Sequence, residues 1–301
     1  MRVTNRMITS TVLKNLNSNL KRLHKMQDQM SSGKSVSKPS DDPVYVARIM
    51  RLQSMVRQQE NYQANIKDAQ GFVDNSESSI GTISDIMNRA RELAIYGANG
   101  AITASDRQAI LSEVDELIHE TLEVANSSYA GRFIFGGYQT EQPPFRREGD
   151  TIIYDGDQGS LDWEVAQGVT MSVNLTGDEL FGVIGDALIE NGVFDALLSL
   201  KKGLDEDDQE VLGGVTLKKI DDAADHILSK RAILGAKSNR LSISHDRAFE
   251  RNINLTELLS NLEDVDWAEA VMYFKTSENV YRAALATGAH IMQPTLLDYL
   301  R

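Results

Sequence analysis

None of the 301 residues is cysteine. That absence excludes a disulfide scaffold, a thiolate zinc or iron-sulfur site and a cysteine nucleophile. Proline occurs only 5 times, under half the usual frequency, and its scarcity leaves long helices uninterrupted. No stretch approaches the roughly 18 consecutive apolar residues of a membrane span, and the opening MRVTNRMITSTVLKNLNSNL lacks the apolar block of a secretory signal peptide. By these ordinary rules the protein reads as cytoplasmic.

Motifs that would carry chemistry are missing too. Gly33, Lys34 and Ser35 suggest a phosphate loop, but Asp28 stands where that motif needs its first glycine, and no strand precedes it. The five histidines, His24, His119, His226, His245 and His290, are scattered and form no metal-ligand pair. Asp155, Asp157, Asp162 and Glu164 crowd one turn but lack the glycine and oxygen spacing of an EF-hand, so a hairpin turn is the plainer reading. There is no G-x-S-x-G elbow. Nothing calls for an enzyme, a cofactor or a metal.

What is present is ordinary in amount and unusual in placement. Hydrophobic residues make up 41% and charged residues 25%, enough to bury a core. The net charge of −13 is uneven: residues 1–60 hold 11 basic and 4 acidic groups, whereas 101–210 hold 6 and 23. A basic N-terminus can serve nucleic acid or anionic lipid. Lys14, Lys21, Arg22 and Lys25, however, lie between the apolar positions of a helical stripe, where a solvated face is the simpler account. Neither a nucleic-acid nor a membrane partner is expected.

From Leu52 a 3,4 spacing runs through Met55, Gln59, Tyr62, Ile66, Ala69, Val73, Ser76, Ile80, Ile83, Met87, Ala90 and Ala94. This predicts a coiled-coil seam on a rod on the order of 65 Å. Asp42 is placed as its N-cap with Pro43 at the first helical position, and Gly97 and Gly100 mark its end. A second helix follows from about Ala104, with Thr103 and Asp106 spaced as a capping box. Residues Leu217 to Leu262 repeat the 3,4 spacing, but Arg231, Ser238, His245 and Asn252 turn one seam position polar. Such a seam either fixes register or merges into solvent.

Shorter stripes lie at both ends: Leu13, Leu16, Leu20, Leu23, Met26 and Met30 near the start, and Trp267, Val271, Phe274, Tyr281, Leu285 and Met292 before Pro294. Each is marginal as an isolated helix, so they must pair with each other or with another molecule. We take these twelve residues as the candidate assembly interface. In the middle the period changes to two, in Leu161, Trp163, Val165 and in Val169, Met171, Val173, Leu175, with the run TIIY at 151–154 expected to pair across DGDQG with the first of these. The fold class expected is mainly α, a long coiled-coil helical rod formed by the N- and C-terminal segments with a small acidic β-containing domain inserted between them.

Several motifs then become specific. Ser31, Ser32 and Gly33 followed by Asp41 and Asp42, the stretch Arg89 to Ala94, Leu234, Gly235, Ala236 with Asn239 and Arg240, and Glu263 to Asp266 with Ala268 and Glu269 resemble the flagellin family, in the family's order. The terminal Leu300 and Arg301 do so as well. The opening MRVTNRMI, the loop KPSDDPV and the run Arg132 to Phe145 resemble its hook–filament junction branch, with a filament-forming flagellin as the alternative. The resemblance implies a terminal coiled-coil domain of 1–40 with 256–301, a helical rod domain of 41–141 with 205–255, and an outer β-rich domain of 142–204. It implies hook-associated protein 1, flagellin and identical subunits in a ring as partners. It also implies a type III export chaperone on the C-terminal helix, and a location outside the cell reached without a cleavable signal. Arg89 and Leu93 match flagellin positions recognised by an innate immune receptor, although Asn88 departs from the family pattern.

Overall fold

A computed structural model describes residues 5–36, 38–40, 42–99, 102–184, 187–188 and 192–292. Helix α1 spans Asn5–Ser32, α2 Pro43–Gly97 and α3 Ala104–Ala125. Small antiparallel hairpins follow, pairing β1 Ser128–Tyr129 with β2 Arg132–Phe133, β3 Phe145–Glu148 with β4 Thr151–Tyr154, and β5 Asp162–Ala166 with β6 Val169–Ser172. After α4, Gly177–Phe181, comes the last of them, β7 Val183–Ile184 with β8 Ala187–Leu188. Helices α5 Val193–Asp205 and α6 Gln209–Val211 lead through a π-helical turn, Leu212–Thr216, into α7 Leu217–Glu263, and α8 spans Trp267–Met292. The chain is mainly helical, with its long terminal segments paired and hairpins in the middle, as the periodicity predicted.

The helix starts follow their capping chemistry. Asp42 Oδ1 accepts from the amides of Val44 at 3.1 Å and Tyr45 at 2.9 Å, so α2 begins at Pro43. Thr103 and Asp106 form the reciprocal capping box that opens α3.

The chain forms two compact units, Met1–Gln58 with Arg251–Arg301, and Gln59–Glu250. The second holds nearly all of the core. In it α2 and α7 run antiparallel: Gln59 Nε2 and Gln63 Nε2 donate to the Ala248 carbonyl, each at 3.2 Å, Arg231 Nη2 meets Glu77 at 2.8 Å and Arg91 Nε meets Asp221 at 2.7 Å. Between these polar edges the predicted stripe is buried from Gln59 to Ala94, against Ile220, Ile227, Leu234, Leu241 and Ala248 of α7. The polar positions Arg231, Ser238 and His245 therefore lie along the margin of the seam, where Arg231 reaches across to Glu77. Helix α3 closes the third side with Ile110, Val114, Ile118 and Ala125.

The hairpins cap this bundle through aromatic packing. Phe181 stands 4.9 Å from Phe145, 5.4 Å from Phe135 and 5.5 Å from Phe194 between ring centroids, and Trp163 of β5 lies 5.7 Å from Phe72 of α2. One strand pairing differs from expectation. TIIY pairs with Phe145–Glu148 instead of crossing DGDQG, because Gly149 at φ 66° closes a two-residue turn and puts Phe145, Ile152 and Tyr154 in the core. The partner of β5 is β6 instead. The acidic turn is a clasp: Asp157 Oδ1 accepts from the amides of Tyr138 and Gly159, both at 2.7 Å, and Asp155 pairs with Arg146 at 2.8 Å. Among the described residues no group of acidic or histidine side chains could hold a metal.

A charge network ties the β3–β4 hairpin to the helices. Asp115 of α3 accepts from Arg147 at 2.8 Å and from Lys201 of α5 at 3.0 Å, and Lys201 also reaches Asp150 at 2.8 Å. The Arg147 and Lys201 hydrogen bonds hold the Asp115 carboxyl below the usual carboxylate range, Lys201 does the same for Asp150, and the two carboxylates raise the pKa of Lys201. In acid the unfolded chain takes up protons before the folded one does. Stability from the carboxylates is therefore complete above the ordinary range near pH ~4 and falls as pH drops through their depressed values. The Lys201 contribution disappears only in strong alkali. Because the Asp115 side chain is 35% exposed, we expect Asp115→Asn to cost about 1 kcal/mol at neutral pH and to flatten the acid limb of the urea midpoint against pH; an unaltered acid limb would refute the network.

Candidate assembly interface

The unit formed by Met1–Gln58 and Arg251–Arg301 is built differently. Among its described residues only Ile49 and Ala270 are buried apolar side chains. Helices α1 and α8 pack along each other, and at Gly288 an added Cβ would lie 3.1 Å from Val12 Cγ1, so the backbones approach closely there. Two helices cannot cover one another completely, so each keeps an apolar stripe facing water.

The twelve candidate residues divide accordingly. Leu16, Leu20, Leu23, Met26, Met30, Phe274 and Tyr281 are half-buried. Ser277 Oγ lies 3.2 Å from Met26 Sδ across the pair. Leu13, Trp267, Val271 and Leu285 are exposed, Trp267 to 54%. Met292 ends α8 and its side chain lies outside the described residues. Met7, Met272, Tyr273 and Val280, outside the sequence stripes, are exposed as well. The signal for the last three is an α8 with apolar residues on more than one face, at 270–274 and 280. A fully buried side chain of this size contributes about 1.5–3 kcal/mol, and so large a display of apolar surface marks a binding face.

What holds this unit's corner is a lock between segments some 230 residues apart. Gly33, at φ 71°, ends α1; Val265 N donates to the Gly33 carbonyl at 2.9 Å, and Ser35 N to that of Glu263 at 2.7 Å. Ser35 Oγ and Tyr45 Oη donate to the Leu262 carbonyl at 3.0 and 2.7 Å. The buried Glu263 carboxylate accepts from Gln53 Nε2 at 3.0 Å and pairs with Lys34. Asp266 Oδ1 caps α8 by accepting from the amides of Ala268 and Glu269. The Gly33, Lys34, Ser35 sequence is thus half of a backbone bridge to Asp264 rather than a phosphate loop.

The Arg89 and Leu93 pair belongs to the other unit. Leu93 is buried, whereas Arg89 is held between Glu113 and Glu92 at 2.7 Å each, which raises its pKa above the usual arginine value. Both line a cleft of about 390 Å³ with Tyr96 and Ile110. The structure gives them a packing role between α2 and α3. No helix among the described residues is long and apolar enough to cross a membrane.

A helical unit poor in core, locked at its corner and displaying apolar faces, defines a subunit made for assembly. The chain belongs to the flagellin family: residues 3–140 match the bacterial flagellin N-terminal helical region and residues 217–300 the C-terminal helical region. It is accordingly a structural, extracellular component of the flagellum and not an enzyme. Within that family it is 26% identical to flagellar hook-associated protein 3 of Escherichia coli (strain K12), over 94% of this chain and 95% of that one. It is 24% identical to a flagellin of Bacillus subtilis (strain 168), over 97% of each. Among solved structures it matches flagellar hook-associated protein 3 of Legionella pneumophila with a TM-score of 0.63 and 16% identity, covering 71% of this chain and 98% of that one, which bears on the fold alone.

We expect Glu263→Ala to unlock the corner at a cost of about 2 kcal/mol, since Gln53 and Lys34 lose their common acceptor. Hydrogen exchange should quicken at the Ser35 and Val265 amides and stay unchanged at Ile80. Equal protection in the variant would contradict the lock.

Proposed function

We propose that the protein is the junction adaptor of the flagellum, joining the hook, through hook-associated protein 1, to the flagellin filament. The carrying observation is the end-to-end similarity to hook-associated protein 3, over 94% of this chain and 95% of the relative. The physical support is the unpartnered apolar face on α1 and α8, where Leu13, Trp267, Val271 and Leu285 stand ready for neighbouring copies. In this reading residues 1–40 with 256–301 form the terminal coiled-coil domain, 41–141 with 205–255 the helical rod domain and 142–204 the outer domain. Copies form a short ring, and an export chaperone covers the C-terminal helix in the cytosol before the subunit leaves unfolded. Covering that helix keeps its apolar stripe from pairing too early.

The whole-length similarity to a flagellin favours one second reading, polymerisation as the filament itself. A gene deletion separates them. Loss of the adaptor leaves hooks without filaments while flagellin accumulates in the medium; a medium without flagellin selects the filament reading.

Single substitutions test the packing. Leu20→Asp or Phe274→Asp should abolish incorporation into flagella while the urea unfolding of Gln59–Glu250 stays within about 0.5 kcal/mol of native. Normal flagella built from either variant would sink the terminal-helix mechanism.

A further inference from the structure

We propose that copies of this chain also meet head to tail through a second contact. In it the arginine-lined face of the first turns of α2 in one molecule sits on an acidic-rimmed apolar patch around the π-helical turn of another. This rests on the reading of the chain as a self-associating flagellar subunit and specifies a pair of surfaces for that association.

The first surface is a stripe. Val44, Arg48, Arg51 and Met55 are spaced 4, 3 and 4 apart, so they share one side of α2, whereas Met50 and Arg57 lie roughly 130° around the helix from it. All six are exposed, Val44 to 64%. Ile49 turns inward and is buried. Between Pro43 and Gln59 there is no acidic residue. Among the described residues none of the three arginines has an ion-pair partner.

The second surface is made by an irregularity. The π-helical turn Leu212–Thr216 buries Leu212 and Thr216, which leaves Val211 and Val215 facing water, Val215 to 60%. The end of α2 runs beside it. The Arg91–Asp221 pair at 2.7 Å and the approach of Ala98 to Gly213, where an added Cβ would stand 3.5 Å away, bracket Ile95, which is 50% exposed. Gly214 has open space around it, so the turn's backbone is accessible. Around this patch stand Asp205, Glu206, Asp207, Asp208 and Glu210, all exposed. Glu206 and Asp207 pair with Lys202 and Arg107, and Asp208 caps the Val211 amide at 3.0 Å. Asp205 and Glu210 have no cationic partner among the described residues.

The first surface sets its arginines between two apolar side chains, the second sets its apolar side chains inside an acidic rim, and each carries uncompensated charge of one sign among the described residues. Two copies of the same surface would repel, so a two-fold pairing is disfavoured. Opposite surfaces attract and can bury Val44, Met55, Val211 and Val215 together. A contact between two different patches of identical molecules is heterologous, and it closes into a ring or continues as a helix.

The test uses the full-length chain, with association followed by light scattering and cross-linking across a salt series. Arg48→Glu with Arg51→Glu, or Asp205→Arg with Glu210→Arg, should each weaken association at least roughly tenfold at low salt, with an unchanged far-ultraviolet spectrum. All four changes in one chain should restore it, because the signs are exchanged on both sides. Charge-reversed pairs that associate like the native chain, or a folded fourfold variant that does not recover, would overturn the contact. Phe274→Asp separates the two readings. If it blocks association while charge reversal has no effect, the head-to-tail contact is wrong and the adaptor reading stands. A native chain that never self-associates overturns the contact, and the adaptor reading is then decided by the gene deletion alone.

Discussion

Within Gln59–Glu250 everything depends on the antiparallel pairing of two apolar rows that lie about 150 residues apart in sequence. The row from Tyr62 to Ala94 on α2 and the row from Ile220 to Ala248 on α7 are buried only because they face each other. Their register is set at the edges, where Gln59 and Gln63 reach the Ala248 carbonyl, Glu77 meets Arg231 and Asp221 meets Arg91. Polar groups at the margin of a seam add little stability but penalise a slipped register, since a slip would bury them unpaired. Helix α3, the Phe145, Phe181 and Phe194 cluster and the hairpins all rest on the platform so formed.

The two units solve the same packing problem to different degrees. Gln59–Glu250 surrounds its helices with further elements and buries its apolar residues at home. The unit of Met1–Gln58 and Arg251–Arg301 has little besides the helix pair α1 and α8, the start of α2 and the end of α7, so most of its apolar side chains remain in contact with water. A helix pair with so little core is marginal alone. The Glu263 lock keeps the corner ordered in the meantime by satisfying backbone groups that a bare α7–α8 junction would leave open.

Legibility differed by kind of signal. Helix starts were readable where a cap declared them, as at Asp42 and at Thr103 with Asp106, because capping is chemistry among neighbours in sequence. The core face of α2 was readable because its period persists over many turns. The partner of TIIY was not, since Gly149 and the DGDQG stretch both look like turns and only the burial of Phe145, Ile152 and Tyr154 together chooses between them. The π-helical turn has no sequence pattern of its own. In the candidate interface, the stripes lie on the two helices that pack along each other, but a stripe cannot say which side chains face the partner helix and which face solvent.

The sequence by itself determined that this is a long-helix protein with a β-containing insertion, an acidic middle and apolar terminal stripes, because those properties are local periodicities and compositions. Only the tertiary structure decided that Leu16 and Phe274 are half-buried while Leu13 and Trp267 stay exposed, and that Gly33 meets Val265. It also placed Ile95 beside the π-helical turn. These are outcomes of long-range pairing, in which the position of one helix fixes what its neighbour can cover, and no run of adjacent residues records them.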